Sequence, residues 1–143
     1  MDHRLLIVWR VKDDSPVLSD EIRSQLYRHL RGRALETQSV FWHDIGGTQD
    51  HVHMAVSVPV TVLISDWIGE LKGASAHYIN HVIASQKILE WQAGYGVVSF
   101  GTKDLPWVLD YVRHQQEHHA QGRTHECLER AEADDDEKPG KPG

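Results

Sequence analysis

Hydrophobic residues follow two different periods along most of the chain. A continuous apolar run at residues 5–9 predicts a buried central strand, and alternation over residues 38–45 and 51–58 predicts two more strands. Apolar residues recur at helical spacing over residues 20–31 and again from 61 to 85. That spacing predicts two amphipathic helices, each with one face against the sheet.

The junctions between these segments carry turn and helix-end signals. Gly46-Gly47 predicts the turn of a hairpin, and Lys72-Gly73 predicts an interruption of the second helix. Residues 95–100 read as a last strand, after which Thr102 or Asp104 caps a third helix with Pro106 in its first turn. The predicted order is therefore strand, helix, strand, strand, helix, strand, followed by one further helix.

The strand over residues 51–58 carries the first candidate chemistry. Val52 and Met54 share one face, whereas His51 and His53 share the other. Two imidazoles two residues apart on a strand are about 7 Å apart at Cα, a span that one metal ion can bridge. Because the chain has 11 histidines, the alternative is a pair of exposed histidines on a solvated sheet face.

The last helix carries the second candidate. Tyr111 and Gln115 are four residues apart and share a helix face, beside the apolar stripe of Val108 and Val112. A tyrosine in this position is commonly a boundary residue of the core. Its combination with the histidine pair favours a catalytic role.

Two groups of residues are candidates for contacts with phosphate. Arg28, Arg31 and Arg33 cluster at the end of the first helix, where they either bind phosphate or complement the helix dipole. Lys72, Ser75 and His77 lie at or just after the predicted interruption of the second helix, which is either a phosphate-binding helix end or a hinge.

Composition limits the class of protein. The chain has 143 residues and suits one domain. No apolar run approaches the roughly 20 residues that span a bilayer, and the first residues do not resemble a signal peptide. The lone Cys127 fits a reducing compartment, so we expect a cytoplasmic protein without membrane association.

Net charge weighs against a protein that binds DNA by overall attraction. The chain carries a formal charge of −6, part of it in the acidic segment 131–143. Any DNA binding must therefore rely on a local basic patch or on metal ions. Residues 124–143 are polar, then acidic, then rich in proline and glycine, and we expect a disordered tail after a folded domain at residues 1–123.

Four segments together resemble one known family. The segment Tyr111-Val112-Arg113-His114-Gln115 resembles the tyrosine helix of the single-tyrosine HUH transposases of small bacterial insertion sequences, the IS200-like transposases. Residues 91–99 and 71–75 resemble the family's segments before that helix and after the HUH strand, and His51-Val52-His53 resembles the HUH motif itself. The similarity extends over about residues 3–128.

The resemblance implies a fold and an assembly. The fold is α+β, a ferredoxin-like (RRM-like) antiparallel sheet with helices on one face, plus an extra C-terminal helix that carries the tyrosine. The predicted order of elements agrees with it. The assembly implied is a homodimer whose active sites are shared between subunits, acting on single-stranded DNA that contains a hairpin.

The resemblance also implies an activity: a DNA transposase that cleaves and rejoins single strands through a 5′-phosphotyrosine. Tyr111 is then the nucleophile, and His51, His53 and Gln115 are ligands of a divalent metal, Mg²⁺ or Mn²⁺. One alternative is a related HUH endonuclease that serves the host by acting on repeated palindromes. The other is a ferredoxin-like nucleic-acid-binding module without catalysis.

Overall fold

The structure, a computed structural model, describes residues 2–114. Within these residues, four strands form one antiparallel sheet and three α-helices pack on it. The elements in chain order are β1 (Asp2–Arg10), α1 (Asp20–Ala34), β2 (Phe41–Gly47), β3 (His51–Pro59), α2 (Ile64–Tyr78), β4 (Gly96–Ser99) and α3 (Leu105–Arg113). Short 3₁₀ turns lie at Lys12–Asp14 and Thr102–Asp104, and a π-helix at Ile79–Ile83 continues α2.

The spatial order of the strands is β2-β3-β1-β4, and every neighbouring pair is antiparallel. With two helices between the strands along the chain, this is the predicted ferredoxin-like α+β arrangement, which is confirmed. β1 is central because its residues 5–9 are apolar and buried throughout. Such continuous burial requires cover on both faces of the strand.

The two faces of the sheet have separate cores. The larger core joins one sheet face to α1 and α2 and includes Ile7, Met54, Leu26 and Ile68, each at 0% exposure. The smaller core lies under α3 on the other face, where its buried members are Leu6, Ala55, Val108, Tyr111 and Val112. The third helix is therefore the extra element that covers the second face.

Helix α1 begins where its sequence predicts, but it continues past the predicted end at residue 31 and through Gly32 to Ala34. Ser19 caps it by accepting a hydrogen bond from the backbone N–H of Ile22 at 3.3 Å, and Asp20 and Glu21 occupy the first turn. Arg31 and Arg33 lie in the last turn, where positive charge complements the helix dipole.

Two predicted junctions are wrong. Gly46 and Gly47 belong to β2, and the turn of the hairpin is made by residues 48–50, closed by Thr48 N–H donating to the His51 carbonyl at 2.9 Å. The predicted interruption at Lys72-Gly73 is absent, since α2 runs unbroken to Tyr78. A lone glycine costs a helix only about 1 kcal/mol, which the buried face of α2 offsets.

The side chain of Asn80 holds residues 88 and 89 in the segment between α2 and β4. The Asn80 amide donates to the Leu89 carbonyl and accepts from the backbone N–H groups of Ile88 and Leu89, all at 2.8 Å. Within residues 2–114, no helix is long and apolar enough to cross a membrane. The predicted tail and the end of the predicted domain, residue 123, lie outside the described residues.

Candidate active site beneath the last helix

The two histidines of β3 lie on the sheet face that α3 covers. His51 is 2% exposed and His53 is 1% exposed, so a solvated pair of histidines is wrong for this chain. Their ring centroids are 5.0 Å apart and the ring planes are inclined at 78°. The alternation of β3 puts both imidazoles on one face, and the third helix takes both out of water.

Hydrogen bonds fix the orientation of His51. Its Nδ1 lies 2.6 Å from Asp50 Oδ1 and 2.9 Å from Thr48 Oγ1, and the Thr48 hydroxyl donates to the same carboxylate oxygen at 3.0 Å. Burial raises the pKa of the Asp50 carboxyl, but hydrogen bonds from His51 and Thr48 outweigh it and hold that pKa below its usual range. Ionised Asp50 can only accept, so Nδ1 carries the proton and the lone pair is left on Nε2.

Tyr111 lies directly against His53 of the histidine pair. Its ring meets that of His53 edge-on, with centroids 5.3 Å apart and planes at 87°, and Trp107 stacks against it at 5.9 Å. The tyrosine is 1% exposed. The structure thus brings together His51, His53 and Tyr111, three of the four residues expected at the centre of the site. The fourth, Gln115, lies outside the described residues.

The position of α3 is set by a close approach to strand β2. A Cβ placed on Gly46 would lie 1.9 Å from the Val112 carbonyl oxygen, so only glycine fits there. Gly46 is also the register neighbour of His53 on β2. An ion pair from Arg113 Nε to Asp44 Oδ2, at 2.5 Å, joins the end of the helix to the same strand.

The chemistry of this donor set fits the expected divalent metal. Two buried imidazoles lie side by side, and the proton on His51 Nδ1 leaves the lone pair on its Nε2. Neutral imidazole is a ligand for divalent transition metals, whereas Mg²⁺ and Mn²⁺ favour carboxylate, carbonyl and water oxygens. Within residues 2–114, no group of three histidine, cysteine or acidic side chains converges to hold a metal. A metal bound here needs further ligands, and Gln115 is the residue expected to provide one.

One residue near the site was missed in the sequence. Arg10 is the register partner of His51 across β1 and β3, so it belongs to the same sheet face. Its Nη1 contacts Asp14 at 3.3 Å, and its charge helps to keep the pKa of Asp50 low. The signal was available only through strand pairing: an antiparallel partner for His51 at the end of the first apolar run.

The predicted phosphate contacts lie apart from this centre. Arg28, Arg31 and Arg33 are exposed on α1, which packs on the opposite sheet face. Lys72 Nζ donates to the carbonyls of Gln92 and Gly94, both at 2.7 Å. Ser75 is fully buried; its hydroxyl donates to the Lys72 carbonyl and accepts from Trp91 Nε1. These two side chains hold the loop before β4, and the helix end on which their DNA contacts were predicted does not exist.

Comparisons with known proteins match this sequence to one family. The family model described as "Transposase IS200 like" matches residues 1–115. Two relatives described as transposases for insertion sequence element IS200, from Salmonella typhimurium and Salmonella typhi, are each 31% identical over 78 residues. Each alignment covers 51% of this chain and 51% of the relative, so the chain spans about half the length of the curated relatives it matches.

Two solved structures share the fold. A putative transposase from Deinococcus radiodurans has a TM-score of 0.65 at 22% identity, covering 78% of this chain and 89% of that chain. A REP-associated tyrosine transposase bound to a REP hairpin has a TM-score of 0.61 at 17% identity, covering 85% of this chain and 70% of that chain.

Proposed function

The chain belongs to the IS200-like transposase family, and on that premise we propose that it cleaves and rejoins single-stranded DNA through a covalent bond to Tyr111. The observation that carries the proposal is the contact between Tyr111 on α3 and His53, whose ring lies beside that of His51; all three side chains are buried. A protein that only binds nucleic acid has no evident need to bury a phenol against a pair of imidazoles.

In the proposed reaction the Tyr111 phenol loses its proton and its oxygen attacks the scissile phosphorus. The bond from phosphorus to the 3′ oxygen breaks, and that oxygen leaves as a 3′-hydroxyl after taking up a proton. The strand end stays attached as a 5′-phosphotyrosine. Attack by a 3′-hydroxyl reverses the step, so rejoining needs no external energy source.

The residues of the site divide this work. Thr48 and Asp50 orient His51, and His51 and His53 would hold a divalent metal, with Gln115 as the expected third protein ligand. A bound Mg²⁺ or Mn²⁺ supplies Lewis-acid stabilisation of charge on the phosphate. Arg10 adds a fixed positive charge on the same face. The close approach of α3 to Gly46 fixes the position of the Tyr111 phenol.

DNA cannot reach the tyrosine in this arrangement without movement. Tyr111 is 1% exposed, with Trp107 stacked on its ring. We infer that α3 shifts when a strand binds. The segment Gly101–Asp104 that precedes the helix is exposed and can act as its hinge. A homodimer in which α3 serves the partner's histidines is the assembly that the family resemblance implies, and its shift would follow the same hinge.

The proposed substrate is single-stranded DNA with a hairpin at the end of a mobile element. A hairpin is supported by the similar fold of the REP-associated tyrosine transposase, whose structure holds a REP hairpin. The same similarity also supports a second candidate function, that of an endonuclease that serves the host by acting on repeated palindromes.

The test is formation of a covalent adduct. Full-length protein is incubated with labelled hairpin oligonucleotides that carry single-stranded flanks, in Mn²⁺ or Mg²⁺, and run on a denaturing gel. We expect a protein-sized labelled band that depends on Tyr111. Binding of the hairpin without any adduct, under every metal and flank tried, would reject the proposal in favour of a non-catalytic binding module.

A further inference from the structure

A second row of side chains crosses the sheet on the face that carries the tyrosine. Phe41 on β2 pairs with Ser57 on β3, and Ser57 pairs with Arg4 on β1. Phe100, just after β4, donates its N–H to the Arg4 carbonyl at 3.0 Å. Directly opposite residues of neighbouring strands share a face. We call Phe41, Ser57, Arg4 and Phe100 the aromatic row.

His43 reaches over this row from a bulge in β2. The register of β2 on β3 shifts between Trp42 and Asp44, which turns the intervening imidazole toward Ser57. His43 Nε2 lies 2.7 Å from Ser57 Oγ, and its ring is 5.1 Å from Phe41 and 6.3 Å from Phe100. A hydrogen bond therefore holds one ring between two others.

The exposed edge of this group can accept a planar ligand. Phe41 is 63% exposed, although it starts a strand whose other residues are mostly half-buried. A ring that is fixed on one side and open to solvent on the other offers a stacking surface. Nucleic-acid bases stack on such rings irrespective of sequence.

The row also carries a positive charge. Within residues 2–114, the Arg4 guanidinium has no ion pair with a carboxylate, unlike Arg23, which pairs with Asp20, or Arg113, which pairs with Asp44. Burial lowers the pKa of His43, and Arg4 lowers it further, so the imidazole is neutral at pH 7 and Arg4 is the cation. A cation beside exposed rings complements a strand of phosphates and bases.

The distance to the catalytic centre suits one continuous strand. Ser57 and His53 lie on the same face of β3, four residues or about 13 Å apart. The buried Leu6 and Ala55 lie between them under α3. A ligand that reached both places would run along β3 past that helix, over a few nucleotides.

We propose that the aromatic row is a second binding site for single-stranded DNA, in which Arg4 contacts a phosphate and Phe41 stacks on a base. The bound bases belong to the strand that continues from the cleaved phosphate. This rests on the proposed cleavage at Tyr111 for the identity of the strand, but not for the binding itself. The site supplies affinity for the flank of the cleaved bond that a buried phenol cannot provide.

Binding is measured by fluorescence anisotropy with a single-stranded oligonucleotide, in a Tyr111→Phe background so that no covalent complex forms. We expect Phe41→Ala to weaken binding about 5- to 150-fold, the range for loss of one stacked base. Arg4→Gln should reduce the slope of log affinity against log salt by about 0.7, the value for one phosphate contact on a single strand. Leu63→Ala, at 71% exposure, and Lys87→Gln are matched controls that should leave both quantities unchanged.

A scan of abasic positions locates the stacked base. One position should weaken binding to the reference protein and have no effect on Phe41→Ala, because the two changes remove the same contact. Equal affinity of Phe41→Ala and the reference would overturn the proposal. So would a changed oligomeric mass with unchanged affinity, which would make Phe41 a contact between copies. Adduct formation by the wild-type protein, scored separately, reports on the cleavage proposal alone.

Discussion

Gly46 and Val112 approach so closely that no side chain fits between strand β2 and helix α3. A Cβ on Gly46 would lie 1.9 Å from the Val112 carbonyl oxygen, and backbone atoms cannot move aside as a flexible side chain can. Gly46, the neighbour of His53 on β2, is therefore also the residue against which the helix that carries Tyr111 packs. Any residue larger than glycine must push the helix, and the phenol with it, away from the histidines.

We predict that Gly46→Ala lowers adduct formation at least tenfold and destabilises the protein by about 1–3 kcal/mol, the usual cost of overpacking. Gly69→Ala is the control, because nothing lies within 4 Å of its added methyl group and alanine favours a helix. Urea unfolding and adduct yield are measured on both. Normal adduct yield from a folded Gly46→Ala protein would show that the close contact between Gly46 and Val112 does not position the tyrosine.

Tyr111→Phe is predicted to abolish the adduct while hairpin affinity stays within about twofold. Only the phenolic oxygen is lost, and the ring still packs on His53 and Trp107. The free energy of unfolding should fall by no more than about 1.5 kcal/mol, the net worth of one hydrogen bond. A labelled covalent band from the variant would move the nucleophile elsewhere.

The histidine pair should report metal binding through stability as well as activity. Mn²⁺ at 100 times its dissociation constant should stabilise the wild-type protein by about 2.7 kcal/mol, whereas His51→Gln and His53→Gln should show no such shift. Glutamine is preferred to alanine because both side chains are buried, and truncation there would leave a cavity. Thermal melts with and without a chelator make the comparison, and an unchanged metal shift in both variants would place the metal elsewhere.

We predict that the protein becomes less stable as the pH decreases, because of His29 on α1. Burial lowers the pKa of this imidazole, Arg33 lowers it further and Glu36 opposes them. Its Nδ1 is buried with no hydrogen-bond partner among the described residues, and its ring stacks on Tyr78 at 4.5 Å. An unfolded histidine has a pKa of about 6.5, so the unfolded state binds more protons below that pH. The contribution of neutral His29 to the free energy of unfolding is therefore fully present above about pH 6.5. It is lost as the pH falls toward the lowered pKa of His29 in the folded protein.

The check is a urea titration of the wild-type protein and His29→Gln at pH 7.5 and pH 5.5. The difference between the two pH values should be smaller in the variant, while His3→Gln, at the exposed start of β1, should keep the wild-type difference. Equal differences in all three proteins would assign the acid sensitivity to other groups.

A mixing experiment separates a shared site from one built by a single subunit. In the described chain Tyr111 lies against its own His53, whereas the resemblance to the family predicts exchange of α3 in a homodimer. We expect a mixture of Tyr111→Phe protein with His51→Gln/His53→Gln protein to regain cleavage, with adduct on the second variant only. No recovery after demonstrated subunit exchange would assign each site to one chain, as the single chain arranges it.

Sequence periodicity predicted the sheet, the helices and the face of β3 that holds His51 and His53. It could not predict their burial, because that depends on α3 crossing to the second sheet face, which a local pattern does not encode. Arg10 and the aromatic row were also missed, since only strand register places Arg10 beside His51 or Phe41 beside Ser57. The turn predicted at Gly46-Gly47 is wrong because Gly46 is required for the close approach of α3 to β2. A glycine required for close packing cannot be distinguished in the sequence from a glycine required for a turn.

The central position of β1 has a consequence for synthesis on the ribosome. Its apolar residues emerge before β3 and β4, yet Leu5 finds its neighbours in Val56 of β3 and Ser99 of β4, far later in the chain. Contacts of such long sequence separation form slowly, and an unpaired apolar strand is prone to aggregation until they do. Nascent chains that stall before β3 therefore expose Leu5 to Trp9 and should depend on chaperones, whereas those that have completed β4 should not.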